Sequence, residues 1–200
     1  MNIAVYSGSF NPLHIGHLAS IKHMIEEAGF DMVYLIVSPK NPLKDGISAT
    51  TGQDRYHAAL AAVNRHFSGM VSEAECGDDM PPPARVLVDD IELNMPEPHY
   101  TVRTLKALAE REPENTFTFV MGADNLADIR RWRDYTNILK DFGVAVFPRT
   151  GHDLAQIKQD LLNEDPAYKI QILDAEMVDI SSTQIREAIA NGEDPSKFLM

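Results

Sequence analysis

Basic residues are scarce in this chain. Eighteen lysines and arginines stand against thirty aspartates and glutamates, a formal net charge of −12 over 200 residues. A surface of that sign repels nucleic acid unless its few cations are gathered in one place. A long polynucleotide is therefore not the expected partner, whereas a small anion held by a local cluster of donors is compatible with the charge. Cysteine occurs once, at Cys76, so no internal disulfide can form, and the stretch from Ser72 to Asp79 offers no cation that would activate the thiol. No uninterrupted apolar run exceeds six residues, as in Met32 to Val37, far short of the roughly 20 needed to cross a bilayer. The opening Met1-Asn2-Ile3-Ala4-Val5 lacks the basic stretch and long apolar segment of a secretory signal. These absences predict a cytoplasmic chain with no membrane and no nucleic-acid partner. Two glycine motifs are also missing: there is no Gly-x-x-x-x-Gly-Lys-Ser/Thr, and no trio of spaced glycines follows the first strand. Neither a Walker-type ATPase nor an ordinary dehydrogenase fits.

What is present alternates. Asn2 to Ser7 is short and β-prone and ends at Gly8; Gly16 to Ala28 places Leu18, Ile21, Ile25 and Ala28 at helical spacing, with Gly29 as a C-terminal cap. Met32 to Val37 is a continuous apolar strand of the kind buried on both faces. Strand, helix and strand within forty residues form the βαβ unit of a parallel sheet. The pattern continues with helices over Asp54–Phe67, Tyr100–Arg111, Asn125–Arg131, Asn137–Lys140, Asp153–Asn163 and Ser182–Ala190. Strands are predicted over Arg85–Leu93, Phe117–Met121, Val144–Phe147 and Ile170–Leu173. Loops fall around Pro39, Pro42 and Gly46 and over Ser68–Ala84, which holds Pro81-Pro82-Pro83. The expectation is one doubly wound, Rossmann-like α/β domain with a parallel sheet, spanning residues 1–200.

In such sheets ligands bind beyond the carboxyl ends of the strands. Three segments there carry unusual residues: Ser7 through His17, Gly122-Ala123-Asp124-Asn125, and Asp179 through Arg186. Gly8 lets the backbone approach a ligand closely. His14 and His17 share a face if a helix begins nearby, and Gly16 between them removes a side chain that would crowd an incoming group. A helix N-terminus favours anions, and two imidazoles there would add donors to phosphate oxygens. The bland reading, ordinary surface histidines, stays open; metal ligation lacks a third ligand at suitable spacing. Ser181, Ser182 and Thr183 precede Arg186 by three to five residues. They read either as a second anion site or as a plain N-cap followed by a surface arginine.

Taken together, Gly8-Ser9-Phe10-Asn11-Pro12-x-His14-x-Gly16-His17 and Ile180-Ser181-Ser182-Thr183-x-x-Arg186 resemble the nucleotidyltransferase superfamily with a Thr/His-x-Gly-His signature. Within it the chain resembles the bacterial nicotinate-nucleotide adenylyltransferases. Pro98 through Leu105, Phe119 through Asp124 and Trp132 through Tyr135 look like that family and occur in its order. Related phosphopantetheine adenylyltransferases usually have threonine where His14 stands. There are departures: Ser7-Gly8-Ser9-Phe10-Asn11-Pro12 replaces the usual Gly-Gly-Thr-Phe-Asp-Pro, Pro42-Leu43-Lys44 keeps only the lysine of Pro-His-Lys, and Arg133 follows Trp132 where an aromatic is common.

The resemblance implies transfer of AMP from ATP to nicotinate mononucleotide, with magnesium accompanying ATP and no protein cage for the metal. By it, His14, His17, Lys44 and Arg186 form the catalytic group. Gly8, Ser9, Phe10, Gly16, Gly122, Asp124, Ile180, Ser181, Ser182 and Thr183 hold ATP, with Asp124 on the ribose. Tyr100, Thr101 and Trp132 shape the pyridine pocket. The partners are then ATP and a pyridine mononucleotide, and a homo-oligomer is compatible with that reading. Rival acceptors are nicotinamide mononucleotide and phosphopantetheine, and a rival of another class is a non-catalytic nucleotide-binding regulator. His14-Ile15-Gly16-His17 also matches class I aminoacyl-tRNA synthetases, but the short chain, its negative charge and the lack of a Lys-Met-Ser-Lys-Ser-like loop oppose that reading.

Overall fold

The computed structural model describes residues 1–39, 51–67, 85–175 and 182–200. Lys44, Cys76, Ile180, Ser181 and the loop expected over Ser68–Ala84 lie outside the described residues. In chain order the elements are β1 (Asn2–Gly8), α1 (Ile15–Glu26), β2 (Met32–Val37), α2 (Gly52–Phe67), β3 (Val86–Asp89), α3 (Ile91–Asn94) and α4 (Thr101–Arg111). There follow β4 (Thr116–Gly122), α5 (Ala123–Ala127), α6 (Tyr135–Asn137), β5 (Val144–Phe147), α7 (Leu154–Glu164), β6 (Ile170–Ile172) and α8 (Ser182–Ala190). The six strands are ordered β3-β2-β1-β4-β5-β6. That is the doubly wound order expected of a Rossmann-like sheet. The chain divides into two compact units, one of Met1–Tyr6 with Pro96–Met177, the other of Ser7–Met95 with Val178–Met200.

In the first unit β1 pairs β4 in parallel from Asn2↔Thr116 to Tyr6↔Val120, β4 pairs β5, and β5 pairs β6. Ile3, Ala4 and Val5 are almost wholly buried, as are Val120 and Val144 to Val146. Buried runs of this kind mark strands covered on both faces. Helix α4 buries Val102, Leu105 and Leu108, three residues apart, and packs against β4. Each such side chain contributes about 1.5–3 kcal/mol on removal from water.

In the second unit Met32–Val37 forms a strand, Val33 to Val37 is buried, and β2 pairs β3 from Val33↔Val86 to Ile36↔Asp89. Helix α1 turns Ile21, Met24 and Ile25 inward. Helix α2 opens on a reciprocal cap: the Thr51 N–H and hydroxyl donate to the Asp54 carboxylate, and the Asp54 N–H donates to the Thr51 hydroxyl. Those bonds hold the Asp54 carboxyl below its ordinary range.

Three predicted elements are corrected. The strand expected over Arg85–Leu93 stops at Asp89, and α3 takes over at Ile91. The Asp89 carboxylate accepts the Ile91 N–H at 2.9 Å, turning the chain out of the sheet. The helix expected over Asn125–Arg131 is the five-residue α5 followed by a 3₁₀ turn at Ile129–Arg131. The helix expected over Asn137–Lys140 starts at Tyr135 as α6 and continues as a π-turn over Ile138–Phe142. Among the described residues no helix is long and apolar enough to cross a membrane.

Leu105 is fully buried, so Leu105→Ala is expected to lower unfolding stability by about 3 kcal/mol in urea titrations, cavity cost included. The Asp54 cap carries a pH signature. Its folded carboxyl lies below the ordinary value of 3.8, so its contribution is intact above that value and disappears as pH falls through the lowered folded value. Asp54→Asn removes this contribution, and its melting temperature should fall less steeply than that of the parent as pH drops below about 4.

Candidate active site

The turn after β1 gathers the second unit's distinctive residues. His14 is the N-cap of α1, in extended conformation at φ −144° and ψ 172°, and His17 is the third helical residue. The first helical bond runs from the Leu18 N–H to the His14 carbonyl. The N–H groups of Ile15 and Gly16 precede it and, among the described residues, have no hydrogen-bond partner, as is usual at a helix N-terminus. The His14 N–H donates to His17 Nδ1 at 3.2 Å. An imidazole whose Nδ1 accepts a bond carries its proton on Nε2 when neutral, so His17 presents Nε2–H as a donor. The two rings lie 3.8 Å apart, centroid to centroid, with planes inclined by 37°. The expectation that His14 and His17 share one face is met.

Phe10 supports the pair from behind. It is buried, sits in the left-handed region at φ 43°, and sets its ring edge-on to His17 at 5.3 Å. Non-glycine residues rarely take that backbone conformation, which clusters at functional turns. Gly8 makes room for the ring: a Cβ there would lie 3.2 Å from Cε1 and Cζ of Phe10. Close approach at Gly8 is thus explained inside the turn, by Phe10.

Helix α8 joins the same turn from the far end of the chain. The Ser182 hydroxyl donates to the Pro12 carbonyl at 3.1 Å, and Arg186 donates through Nη1 to the Asn11 carbonyl at 2.7 Å and through Nη2 to the Thr183 hydroxyl at 2.9 Å. Arg186 is half-buried rather than a solvated surface arginine. Ser182 is the first residue of the helix, its hydroxyl spent on Pro12. Of the second-unit site residues that are described, His14, His17, Gly8, Ser9, Phe10, Gly16, Ser182, Thr183 and Arg186 all belong to this turn or to α8.

The remaining expected site residues belong to the first unit. Gly122 ends β4, and a Cβ on it would lie 2.5 Å from Asp124 Oδ1 and 3.4 Å from Arg149 Nε. A carboxylate and a guanidinium therefore converge over the glycine. Its φ of −85° is open to any residue, so space and not backbone conformation requires glycine here. Sequence reasoning does not single out Arg149; its one signal is a cation just past the carboxyl end of β5. Tyr100 is the N-cap of α4 and 44% exposed, and Thr101 is that helix's first residue. Trp132 is half-buried at the end of the 3₁₀ turn, edge-on to Phe119 at 5.8 Å.

A parallel sheet in doubly wound order, with an imidazole pair at a helix N-terminus and a late arginine on the same turn, is the build of a nucleotide-handling transferase. Residues 5–188 match the model of the cytidylyltransferase-like family, and the chain belongs to that family. Within it, the chain is similar to proteins named probable nicotinate-nucleotide adenylyltransferase. That of Flavobacterium johnsoniae is 34% identical over 199 residues, covering 100% of this chain and 92% of the relative. That of Flavobacterium psychrophilum is 37% identical over 199 residues with the same coverage. Among solved structures, Plasmodium falciparum nicotinic acid mononucleotide adenylyltransferase complexed with NaAD shares the fold, with a TM-score of 0.72 at 19% identity over 99% of this chain and 90% of that one.

Gly8→Ala tests the turn itself. The Phe10 ring must give way to the added methyl, so the variant should lose about 1–3 kcal/mol of stability. The His17 imidazole resonances should shift in a nitrogen-15 spectrum; unchanged resonances would contradict the packing of Phe10 on His17.

Proposed function

We infer that this chain transfers the AMP of ATP to nicotinate mononucleotide, releasing pyrophosphate and forming nicotinate adenine dinucleotide. The observation that carries the reading is the attachment of Arg186 and Ser182 to the carbonyls of Asn11 and Pro12, which brings the late arginine to the turn of His14 and His17.

A 5′-phosphate oxygen of the mononucleotide attacks the α-phosphorus of ATP in line. A new oxygen–phosphorus bond forms as the bond from the α-phosphorus to its bridging oxygen breaks, and the electron pair leaves with pyrophosphate. The nucleophile is already an anion, so no general base is required. Catalysis reduces to aligning two anions that repel each other and meeting charge as it moves onto the leaving group. His14 and His17 supply imidazole donors to the phosphates, with the uncommitted N–H groups of α1 beneath them. Arg186 spends two of its five N–H donors inside the protein; the others face the leaving pyrophosphate, beside Thr183. Lys44 adds a cation, and Gly8, Ser9, Ile180 and Ser181 complete the ATP contacts. Asp124, lying over Gly122, takes the ribose hydroxyls as a bidentate acceptor. Tyr100, Thr101 and Trp132 enclose the pyridine ring.

Among the described residues no three His, Cys, Asp or Glu side chains gather as a metal site. Magnesium would accompany ATP as its counter-ion and supply positive charge against the phosphates.

The test is pyrophosphate release with ATP, magnesium and a panel of acceptors. Nicotinate mononucleotide should be turned over at least about tenfold more efficiently than nicotinamide mononucleotide, with phosphopantetheine inert. His17→Ala should cut kcat by roughly 10²–10³ while melting within a few degrees of the parent. No pyrophosphate with the nicotinate substrate, or a fully active His17→Ala, would refute the assignment.

A further inference from the structure

One buried cation plays no part in the reaction as written. Arg55 lies on α2 and is 6% exposed. Its guanidinium donates through Nη1 to the Ser9 carbonyl at 2.7 Å and to the Ser38 carbonyl at 2.7 Å, and through Nη2 to the Pro39 carbonyl at 2.8 Å. All three acceptors are main-chain oxygens just past the carboxyl ends of β1 and β2. Among the described residues Arg55 has no carboxylate partner, and burial alone lowers its pKa. A surface ion pair or a helix-stabilising contact would look different: these bonds leave the helix altogether and converge on two loops.

The local packing is arranged around this reach. A Cβ on Gly52, at the start of α2, would lie 2.7 Å from Leu93 Cδ2, which would have to shift, and 3.4 Å from Pro39 Cα. The helix therefore closes directly onto the loop that Arg55 holds. Ser38 is fixed a second time, its hydroxyl donating to the buried carboxylate of Glu92 at 2.7 Å, and its N–H bonds the Gly8 carbonyl at 3.0 Å. Arg55 and Glu92 thus grip the two ends of one residue that is itself pinned to β1.

We propose that Arg55 is a positioning residue for the imidazole pair, acting through the Ser9–Phe10 peptide. Fixing the Ser9 carbonyl fixes the plane of that peptide. Phe10 then takes its left-handed conformation and sets its ring against His17. The chain of contacts runs from guanidinium to carbonyl, to Phe10, to the ring that presents Nε2–H. A displacement of a few tenths of an ångström at Ser9 reaches the donor without any contact between Arg55 and substrate. The inference rests on the adenylyl-transfer reading.

Arg55→Met keeps length and burial but removes all three bonds; Arg55→Lys keeps the charge but cannot span both branches of the fork. In pyrophosphate release with ATP and nicotinate mononucleotide, Arg55→Met should lower kcat about thirtyfold or more with KM for the mononucleotide within about threefold, and Arg55→Lys should recover part of the loss, remaining about fivefold down. In both variants the His17 imidazole resonances should move while cooperative melting persists. If Arg55→Met does not melt cooperatively, Arg55→Lys carries the test alone. His17 resonances unmoved in the folded variants, or kcat unchanged in them, would overturn the role of Arg55. A parent protein that releases no pyrophosphate would instead overturn the assigned reaction, and the His17 resonances would still decide whether Arg55 positions that ring.

Discussion

Two carbonyl oxygens, those of Asn11 and Pro12, tie the last helix of the chain to its first turn. Their partners, Arg186 and Ser182, lie 175 and 170 residues away in sequence. Closing so long a loop costs only a few kcal/mol more than closing a short one, because the entropy grows with the logarithm of length. Once the sheet and helices have closed it, two hydrogen bonds suffice to hold the register of α8. A guanidinium on a carbonyl is the stronger kind of bond, charge-assisted on the donor side. Remove this attachment and the histidine pair and the arginine become unrelated features of one chain.

Main-chain oxygen is the recurring acceptor for cations in the second unit. Arg186 takes Asn11, and Arg55 takes Ser9, Ser38 and Pro39. In a chain of net charge −12, carboxylates are plentiful, yet these arginines bond to carbonyls. A guanidinium paired with a carboxylate is neutralised. One paired with carbonyls keeps its net charge while its geometry is fixed. The same turn is braced by the chain's last residues, since Leu199 forms an antiparallel bridge with His14.

Much of the architecture was legible because local signals and burial agreed. The apolar run of β2 read as a strand covered on both faces, and Tyr100–Arg111 read as a helix, one that buries Val102, Leu105 and Leu108. The early end of β3 was not legible, because apolar residues continue past Asp89 and the turn depends on one side-chain bond to Ile91. The spacing of His14 and His17 showed that they could share a face. It did not show that one ring's Nδ1 would be occupied by the other residue's N–H, which decides the donor atom. Gly122 was legible as a glycine at a strand end, but its reason, the Asp124 carboxylate and Arg149 above it, involves a residue just past the end of another strand. Arg55 carried no signal at all: in an alanine-rich amphipathic helix an arginine reads as solvated.

From its sequence alone, this protein's alternation of strand and helix and its want of membrane-length apolar segments were determined, since they are written in periodicity and composition, and short motifs carried its resemblance to the nucleotidyltransferases. Tertiary structure alone decided which atoms those motifs present: the Nε2 donor of His17, the left-handed Phe10 behind it, and the half-buried Arg186 bonded to Asn11. The physical reason is that periodicity and spacing place residue types, whereas the atom each residue presents depends on bonds made only in the folded chain, from the three-residue reach of the His14 N–H to His17 Nδ1 to the 175-residue reach of Arg186 to Asn11.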